Sequence, residues 1–96
     1  MWKIKLHPLV VKEDIPALSP QEWLKIKKAI RKKLTIGPIQ YGEPLRGDFK
    51  GFWKLRVGKY RVVYKIDKEE VLVLILTIGL RKDFKVYKKF QTRYGL

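Results

Sequence analysis

The chain has 96 residues, which is enough for one domain with one modest core. It carries 23 Lys and Arg against 9 Asp and Glu, and the resulting formal charge of +14 implies an anionic partner: nucleic acid, an acidic protein or an anionic membrane. A membrane is the weakest of these, because no apolar run approaches the roughly 20 residues that span a bilayer. The absence of cysteine excludes disulfides, cysteine-based metal sites and thiol nucleophiles.

The first elements are predicted to be a strand and a short helix. Residues 2–6 alternate between apolar and basic side chains, which is typical of a strand, and Pro8 ends it. Residues 9–15 are predicted to form a short helix. This helix closes before Pro16, because a residue that precedes proline avoids the helical region.

A second helix is predicted over residues 20–34. Ser19-Pro20-Gln21-Glu22 has the cap residue, the first-position proline and the acid of a capping box, and apolar residues then recur at helical spacing. Its outer face is basic and includes Lys25, Lys28, Arg31 and Lys32. Such a run is usually a solvated face, but the total charge favours contact with RNA. The stretch 36–50 is predicted to be a loop, and Arg46 within it is a further candidate RNA contact.

Residues 52–65 predict a β-hairpin with one charged face. Gly58-Lys59 suits a two-residue turn, which places Arg56 opposite Arg61 and Lys54 opposite Val63. Alternation then sends Trp53, Leu55, Val57, Tyr60, Val62 and Tyr64 to one face, and Lys54, Arg56, Arg61 and Lys65 to the other. Like charges directly opposite each other destabilise a sheet. The arrangement therefore indicates a site for an anion.

The C-terminal third is predicted to be a strand and a short helix. Residues 71–78 are apolar at nearly every position, which is typical of a strand covered on both faces. A four-residue loop after the hairpin would place Val73, Ile75 and Thr77 on the aromatic face, and Leu72, Leu74 and Leu76 on the face of Arg61. Segment 84–92 is expected to cover those leucines through Phe84, Val86 and Phe90, unless a partner chain covers them. The predicted fold class is α+β: a small antiparallel sheet, made of the N-terminal strand and a three-strand meander, with N-terminal helices and a short C-terminal helix.

The charged residues favour phosphoryl chemistry without a metal. Arg56, Arg61 and Arg81 stay protonated, so they bind phosphate and stabilise developing negative charge. Like charge around Lys54 disfavours its ammonium form, which makes it the best proton carrier, and Tyr87 offers a ring for a base and a hydroxyl for a ribose. Carboxylates are too sparse for a magnesium cage. Metal-free cleavage needs a nearby nucleophile, which RNA supplies as its 2′-hydroxyl.

Two segments resemble the RelE/ParE toxin superfamily, in particular its RelE branch of messenger RNA endonucleases. They are PLRGDFKGFWKLRVGKYRVVYKID and VLVLILTIGLRKDFKVY, which together make up about half of the chain. The Tyr-Arg-Val-Val-Tyr run is characteristic of the superfamily as a whole. The set of Lys54, Arg56, Arg61, Arg81 and Tyr87 is more specific to the nuclease branch.

This resemblance implies a role for each residue of that set. Lys54 would be the general base that takes the proton of the 2′-hydroxyl. Arg56 and Arg61 would stabilise the phosphorane-like transition state, Arg81 would sit at the leaving 5′-oxygen, and Tyr87 would orient the scissile nucleotide. The family often has lysine at the position of Arg56, whose contribution here would be electrostatic only.

The resemblance also implies the biological setting. The chain would be the toxin of a type II toxin-antitoxin system: a ribosome-dependent, metal-independent mRNA endoribonuclease that acts in the A site, leaves a 2′,3′-cyclic phosphate and inhibits translation. Its partners would be a cognate antitoxin, the ribosome and mRNA, with no membrane and no small-molecule cofactor. Helix 20–34 would face ribosomal RNA. The N-terminus has no apolar signal core, so we expect a cytoplasmic protein.

Two other functions remain open from the sequence. A ParE-like protein would inhibit gyrase and cleave nothing, although such proteins generally lack the combined basic and tyrosine set. A non-catalytic nucleic-acid-binding module would use the charge equally well, but it leaves the pairing of Arg81 with Tyr87 unexplained.

Overall fold

The protein folds as a five-stranded sheet with helices on both faces, seen in a computed structural model that describes all 96 residues. The strands are β1 (Lys3–Leu6), β2 (Glu43–Pro44), β3 (Trp53–Val57), β4 (Tyr60–Asp67) and β5 (Leu72–Leu80), in the order β1-β5-β4-β3-β2. The helices are α1 (Pro20–Ala29), α2 (Pro38–Tyr41) and α3 (Lys85–Tyr94). Single helical turns cover Val10–Asp14, Ile15–Ala17, Ile30–Leu34, Gly47–Phe49 and Lys82–Phe84. The predicted α+β class is confirmed.

The sheet is mixed rather than antiparallel, which corrects the prediction. Strand β1 lies at one edge and runs parallel to β5, with Lys3 opposite Leu72 and Leu6 opposite Ile75. The pairs β2–β3, β3–β4 and β4–β5 are antiparallel. Alternation along β1 reports which side chains face the core, but it carries no information about the direction of a partner that is distant in sequence.

Two other boundaries differ from the predictions. The chain remains helical through Pro16, because Ile15–Ala17 forms a separate 3₁₀ turn in which proline occupies an early position and no donor is lost. The stretch 36–50 is not a plain loop. It contains α2, which starts at Pro38, then β2 and the turn Gly47–Phe49.

The predicted helix over 20–34 is confirmed and packs on one face of the sheet. Its capping box is formed: the Glu22 N–H donates to Ser19 Oγ at 3.1 Å, and the Ser19 N–H donates to Glu22 Oε1 at 2.9 Å. The helical path continues from α1 through Ile30–Leu34. Its buried side chains and those of the sheet form the larger core cluster, which includes Ile26, Ile30, Leu34, Leu55, Val57, Val62, Tyr64, Val73, Ile75 and Ile78.

Helix α3 covers the other face of the sheet. Val86 and Phe90 are fully buried against Val63 and Leu76, so the predicted cover of the leucines is confirmed for these two residues. Phe84 does not take part, since its side chain is exposed. It lies just before the first residue of α3 and has a left-handed φ of 56°, so its side chain does not continue the buried face of the helix.

A bulge in β5 decides which residues reach each face. Val63 lies opposite Thr77 whereas the next residue, Tyr64, lies opposite Ile75, which leaves Leu76 as the extra residue. Val73 and Ile75 therefore pack on the α1 side as predicted, but Thr77 lies with Val63 on the α3 side, contrary to the prediction.

Candidate functional site: a basic cleft

The predicted hairpin forms the floor of the site. Arg56 lies opposite Arg61, Lys54 lies opposite Val63, and Gly58 begins the turn with a positive φ of 57°. This is the predicted register. It places Lys54, Arg56 and Arg61 on the side of the sheet that faces α3, because Val63 belongs to the core beneath that helix.

The charged face of the hairpin is the floor of a cleft of about 640 Å³, here named the basic cleft. One wall is the segment from β2 to the turn Gly47–Phe49, and the other is the start of α3 with the turn before it. Its lining residues are Glu43, Leu45, Arg46, Phe49, Lys54, Arg56, Arg61, Arg81, Phe84, Tyr87, Lys88 and Gln91. All five residues predicted to be catalytic, and also Arg46, therefore line one cleft.

The hairpin turn holds two of these arginines. The Arg61 guanidinium donates from Nη1 to the carbonyl oxygens of Gly58 at 2.9 Å and Tyr60 at 2.8 Å. The backbone N–H of Arg81 donates to the Lys59 carbonyl at 3.0 Å. Three successive carbonyl groups of the turn thus fix Arg61 by its side chain and Arg81 by its main chain.

The turn is itself anchored to the start of α1. The Tyr60 hydroxyl donates to Glu22 Oε2 at 2.5 Å, and Lys59 lies 3.6 Å from the same oxygen. The hydrogen bond from Tyr60 is the main cause that lowers the pKa of Glu22 to about 2. The same hydrogen bond is the main cause that raises the pKa of Tyr60 to about 12. The capping acid of α1 therefore also positions the hairpin turn.

Helix α3, which carries Tyr87, is fastened by Asp14. This buried carboxylate accepts hydrogen bonds from Arg93 Nη1 and Nη2 at 2.9 and 2.7 Å, from Lys89 Nζ at 2.8 Å, and from the Ile78 N–H at 2.8 Å. Burial alone would raise the pKa of Asp14, but these hydrogen bonds outweigh burial and lower it. One acid thus ties the segment before α1, the end of β5 and α3 together.

The cations of the basic cleft have no acidic partner. The ion pairs of the protein all involve Glu13, Asp14 or Glu22, which lie outside the cleft. Glu43 is the one carboxylate in the lining, and it lies beside Lys54 across the β2–β3 pair without an ion pair. Unpaired guanidinium groups that converge on one space are suited to a phosphate with two or more free oxygens.

The basic residues of helix 20–34 lie elsewhere. All four of these side chains, Lys25, Lys28, Arg31 and Lys32, are exposed, and their helix packs on the face of the sheet opposite α3. The structure does not bring these four predicted RNA contacts to the cleft. Lys25 comes nearest to the hairpin, since its Nζ would lie 3.3 Å from a Cβ placed on Gly58.

Sequence reasoning missed half of the cleft lining. Phe84, Lys88 and Gln91 recur in the sequence at a spacing of three to four residues around Tyr87, a pattern typical of one helix face. In the structure Lys88 and Gln91 lie on α3 with Tyr87, whereas Phe84 lies in the left-handed corner before it. Glu43, Leu45 and Phe49 had no such signal. They reach the cleft because β2 pairs with β3, with Glu43 opposite Lys54.

Two further structural findings concern long apolar helices and clusters of metal-ligand residues. No helix is both long and apolar enough to cross a lipid bilayer. No three His, Asp or Glu side chains come close enough together to hold a metal ion.

Comparison with known proteins gives the family. A family model described as the ParE toxin of the type II toxin-antitoxin system, parDE, matches residues 10–83. Toxin RelG of Mycobacterium tuberculosis is 31% identical over 78 residues, covering 81% of this chain and 87% of that protein. The mRNA interferase toxin RelE of Escherichia coli is 27% identical over 84 residues, covering 79% and 88%.

A solved structure agrees with these matches. The toxin-antitoxin complex RelBE2 from Mycobacterium tuberculosis contains a chain that superposes with a TM-score of 0.78 at 28% identity, covering 83% of this chain and 98% of that one. The family model spans well over half of the sequence, and the fold is shared. The chain therefore belongs to the RelE/ParE superfamily, and it is a toxin of the type II toxin-antitoxin class.

Proposed function

We propose that this toxin is a ribosome-dependent mRNA endoribonuclease that cuts its message in the A site through the ribose 2′-hydroxyl. The observation that carries the proposal is the basic cleft, in which Lys54, Arg56, Arg61, Arg81 and Tyr87 line one space. The relative from Escherichia coli, named an mRNA interferase toxin, supports the same reaction. The product is a 2′,3′-cyclic phosphate, and the effect is inhibition of translation.

The reaction is a transesterification within the RNA. Lys54 takes the proton of the 2′-hydroxyl as the oxygen attacks the adjacent phosphorus. A bond forms between that oxygen and phosphorus, and the bond from phosphorus to the 5′-oxygen of the next nucleotide breaks. Its electron pair goes to the 5′-oxygen, which takes a proton from water. Deoxyribose has no 2′-hydroxyl, so the same site would spare DNA.

The arginines stabilise charge and transfer no proton, because a guanidinium does not deprotonate in a protein. Arg56 and Arg61 contact the non-bridging oxygens of the phosphorane-like transition state, and Arg81 stabilises the negative charge on the leaving 5′-oxygen. The turn carbonyl groups that hold Arg61 make this stabilisation preorganised, since the guanidinium is placed before substrate arrives. Tyr87 orients the scissile nucleotide from the opposite wall.

The mechanism needs no bound metal or small-molecule cofactor. The cleft lining has one carboxylate, Glu43, against the basic side chains of Arg46, Lys54, Arg56, Arg61, Arg81 and Lys88. A site for a hard divalent cation uses several oxygen ligands, whereas a cationic wall neutralises a phosphate directly.

The remaining surface fits a toxin that acts within a larger assembly in the cytoplasm. Lys25, Lys28, Arg31 and Lys32 would contact ribosomal RNA from the other side of the sheet, while Arg46 contacts the message in the cleft. The chain in the solved RelBE2 complex is bound to an antitoxin, which supports a cognate antitoxin here. The whole chain, residues 1–96, would act as a single toxin domain.

The test is cleavage of a message on programmed ribosomes, with the ends of the products mapped. We expect A-site cleavage by the purified toxin, loss of cleavage with Lys54→Ala and with Arg81→Ala, and retained ribosome binding by both variants. A 2′-deoxy nucleotide at the scissile position should block the reaction, and EDTA should leave the chemical step unchanged. Cleavage of the deoxy message, or full activity of both variants, would refute the mechanism.

The family model also carries the ParE name, so inhibition of gyrase is the rival function. A supercoiling assay with purified gyrase separates the two. Gyrase inhibition without ribosomal cleavage would favour the rival, and RNA binding with neither effect would favour a non-catalytic module.

A further inference from the structure

Phe84 is an exposed aromatic residue inside the basic cleft. Its side chain is 59% exposed although it lines the cleft together with the arginines. The other cleft phenylalanine, Phe49, packs edge-on against Phe90 and so belongs to the core below α3. An aromatic ring that is left uncovered in this way has no role in the core.

The backbone holds Phe84 in this position at a conformational cost. Asp83 and Phe84 both have left-handed backbone angles, with φ of 55° and 56°, and together they form the corner between β5 and α3. A left-handed conformation is rare for a bulky residue and disfavoured by contacts of its Cβ. Such residues concentrate at ligand sites.

One face of the Phe84 ring contacts the Arg81 guanidinium. The Arg81 guanidinium carbon lies 5.5 Å from the ring centroid, within the range of a cation–π contact. The ring therefore has a cation on one side, and the same guanidinium lines the cleft where a phosphate would bind. A planar group bound next to that phosphate would meet the free surface of the ring.

We propose that Phe84 is a stacking platform for a nucleobase adjacent to the phosphate held by Arg81. The proposal rests on the proposed function in taking the cleft as the binding site for RNA. Aromatic side chains bind single-stranded nucleic acid by stacking on the bases, and such stacking tolerates any sequence because every base has a π-face. Phe84 thus supplies base affinity that the arginines, which bind phosphates, do not supply.

The competing explanation is that Phe84 only positions Arg81. In that case the ring acts through phosphate binding, and the bases of the ligand do not matter. The two explanations are separated by a pair of probes that differ only in their bases: single-stranded oligo-deoxyadenylate, and an abasic oligodeoxyribose phosphate of the same length. Neither probe has a 2′-hydroxyl, so the toxin cannot cleave it by the proposed route.

The experiment measures the Kd of each probe for the purified full-length toxin and for Phe84→Ala. We expect Phe84→Ala to weaken binding of oligo-deoxyadenylate by about 5-fold to 150-fold, the range for loss of one stacked base, and to leave the abasic probe unchanged. Phe84→Trp should retain the preference for bases. Phe84→Leu should lose it, because leucine is apolar but not aromatic.

Val71→Ala is the matched control. Val71 is also an exposed apolar residue with a positive φ, but it lies in the β4–β5 turn, away from the cleft. It should leave binding of both probes unchanged. Thermal melting of each variant checks that the fold is retained.

The proposal is overturned if Phe84→Ala weakens both probes equally, which would assign Phe84 to positioning Arg81, or if it weakens neither. It is also overturned if Phe84→Leu binds oligo-deoxyadenylate as the unaltered toxin does. Because no cleavage is needed, a toxin that stacks bases but does not cut ribosomal message would refute the proposed nuclease function and leave the role of Phe84 standing.

Discussion

Arg56 and Arg61 lie directly opposite each other in the β3–β4 pair, and neither forms an ion pair with an acid. Residues so placed have Cβ atoms about 5 Å apart, where two like charges repel. The hydrogen bonds of Arg61 to the turn carbonyls direct its guanidinium but do not neutralise it. The free toxin thus maintains a repulsion that a bound phosphate would relieve.

Replacing Arg56 should stabilise the folded toxin, whereas replacing Arg61 should slow cleavage. Arg56→Thr is expected to raise the free energy of unfolding by about 0.2–1 kcal/mol, because the repulsion is removed and threonine suits a strand. Arg61→Ala is expected to raise the barrier to cleavage by about 2–4 kcal/mol, by analogy with the loss of one transition-state donor. Urea unfolding and single-turnover cleavage on ribosomes measure the two effects. A stability loss in Arg56→Thr would contradict the repulsion argument.

The Asp14 cluster should be the main attachment of α3. Asp14→Ala leaves the Arg93 guanidinium, whose side chain is 6% exposed, without its buried carboxylate partner, and removal of one partner from a buried pair typically costs about 3–5 kcal/mol. Glu13→Gln is the matched control, since Glu13 contacts the same arginine from the exposed side and should change stability by about 1 kcal/mol or less. Hydrogen exchange of residues 85–94 would show whether α3 is the part released.

The same cluster predicts how stability depends on pH. The pKa of Asp14 is lowered in the folded protein, so its contribution is fully present above the unfolded pKa of an aspartate, about 4. It is lost as the pH falls through the lower folded value. The unaltered toxin should therefore lose more stability between about pH 5 and pH 2 than Asp14→Asn does, as measured by urea unfolding. Parallel curves for the two proteins would contradict the lowered pKa.

Gly42 should be intolerant of any side chain. A Cβ at this position would lie 1.6 Å from the Tyr64 hydroxyl oxygen, which donates to the Pro38 carbonyl at 2.7 Å and is buried. Gly42→Ala is expected to destabilise the fold by about 1–3 kcal/mol, the usual cost of overpacking. In a Tyr64→Phe background the clashing oxygen is absent, so the same change should cost less. An equal cost in both backgrounds would show that the clash lies elsewhere.

The basic face of the helix over 20–34 should bind RNA through phosphates alone. Lys28→Gln or Lys32→Gln is expected to reduce the slope of log K for RNA binding against log salt by about 0.7–0.9 for each phosphate that the variant no longer neutralises. The rate of cleavage of bound message should not change, because these residues lie on the face of the sheet opposite the cleft. Lys68→Gln, in the β4–β5 turn, is the control that should leave the slope unaltered.

Local sequence patterns were sufficient for the elements that build the cleft floor. The two-residue turn at Gly58 and strict alternation predicted the register of Arg56 with Arg61, which is confirmed. The capping box from Ser19 to Glu22 predicted where α1 begins, also correctly. In each case the residues that carry the pattern also form the turn or the helix start. The prediction therefore needed no information about distant contacts.

Patterns within the chain were therefore enough to predict the α+β class, the hairpin register, helix 20–34 and the resemblance to the superfamily. Three features depended on long-range packing: the parallel direction of β1, the bulge that turns Thr77 towards α3, and the ion pair of Arg93 with Asp14, which lies 79 residues earlier. Long-range packing also decided that Phe84 faces the cleft and not the core. Turns, helix caps and apolar periodicity depend on residues that are close in sequence. Strand direction and buried ion pairs depend on segments that meet only when the whole chain has packed.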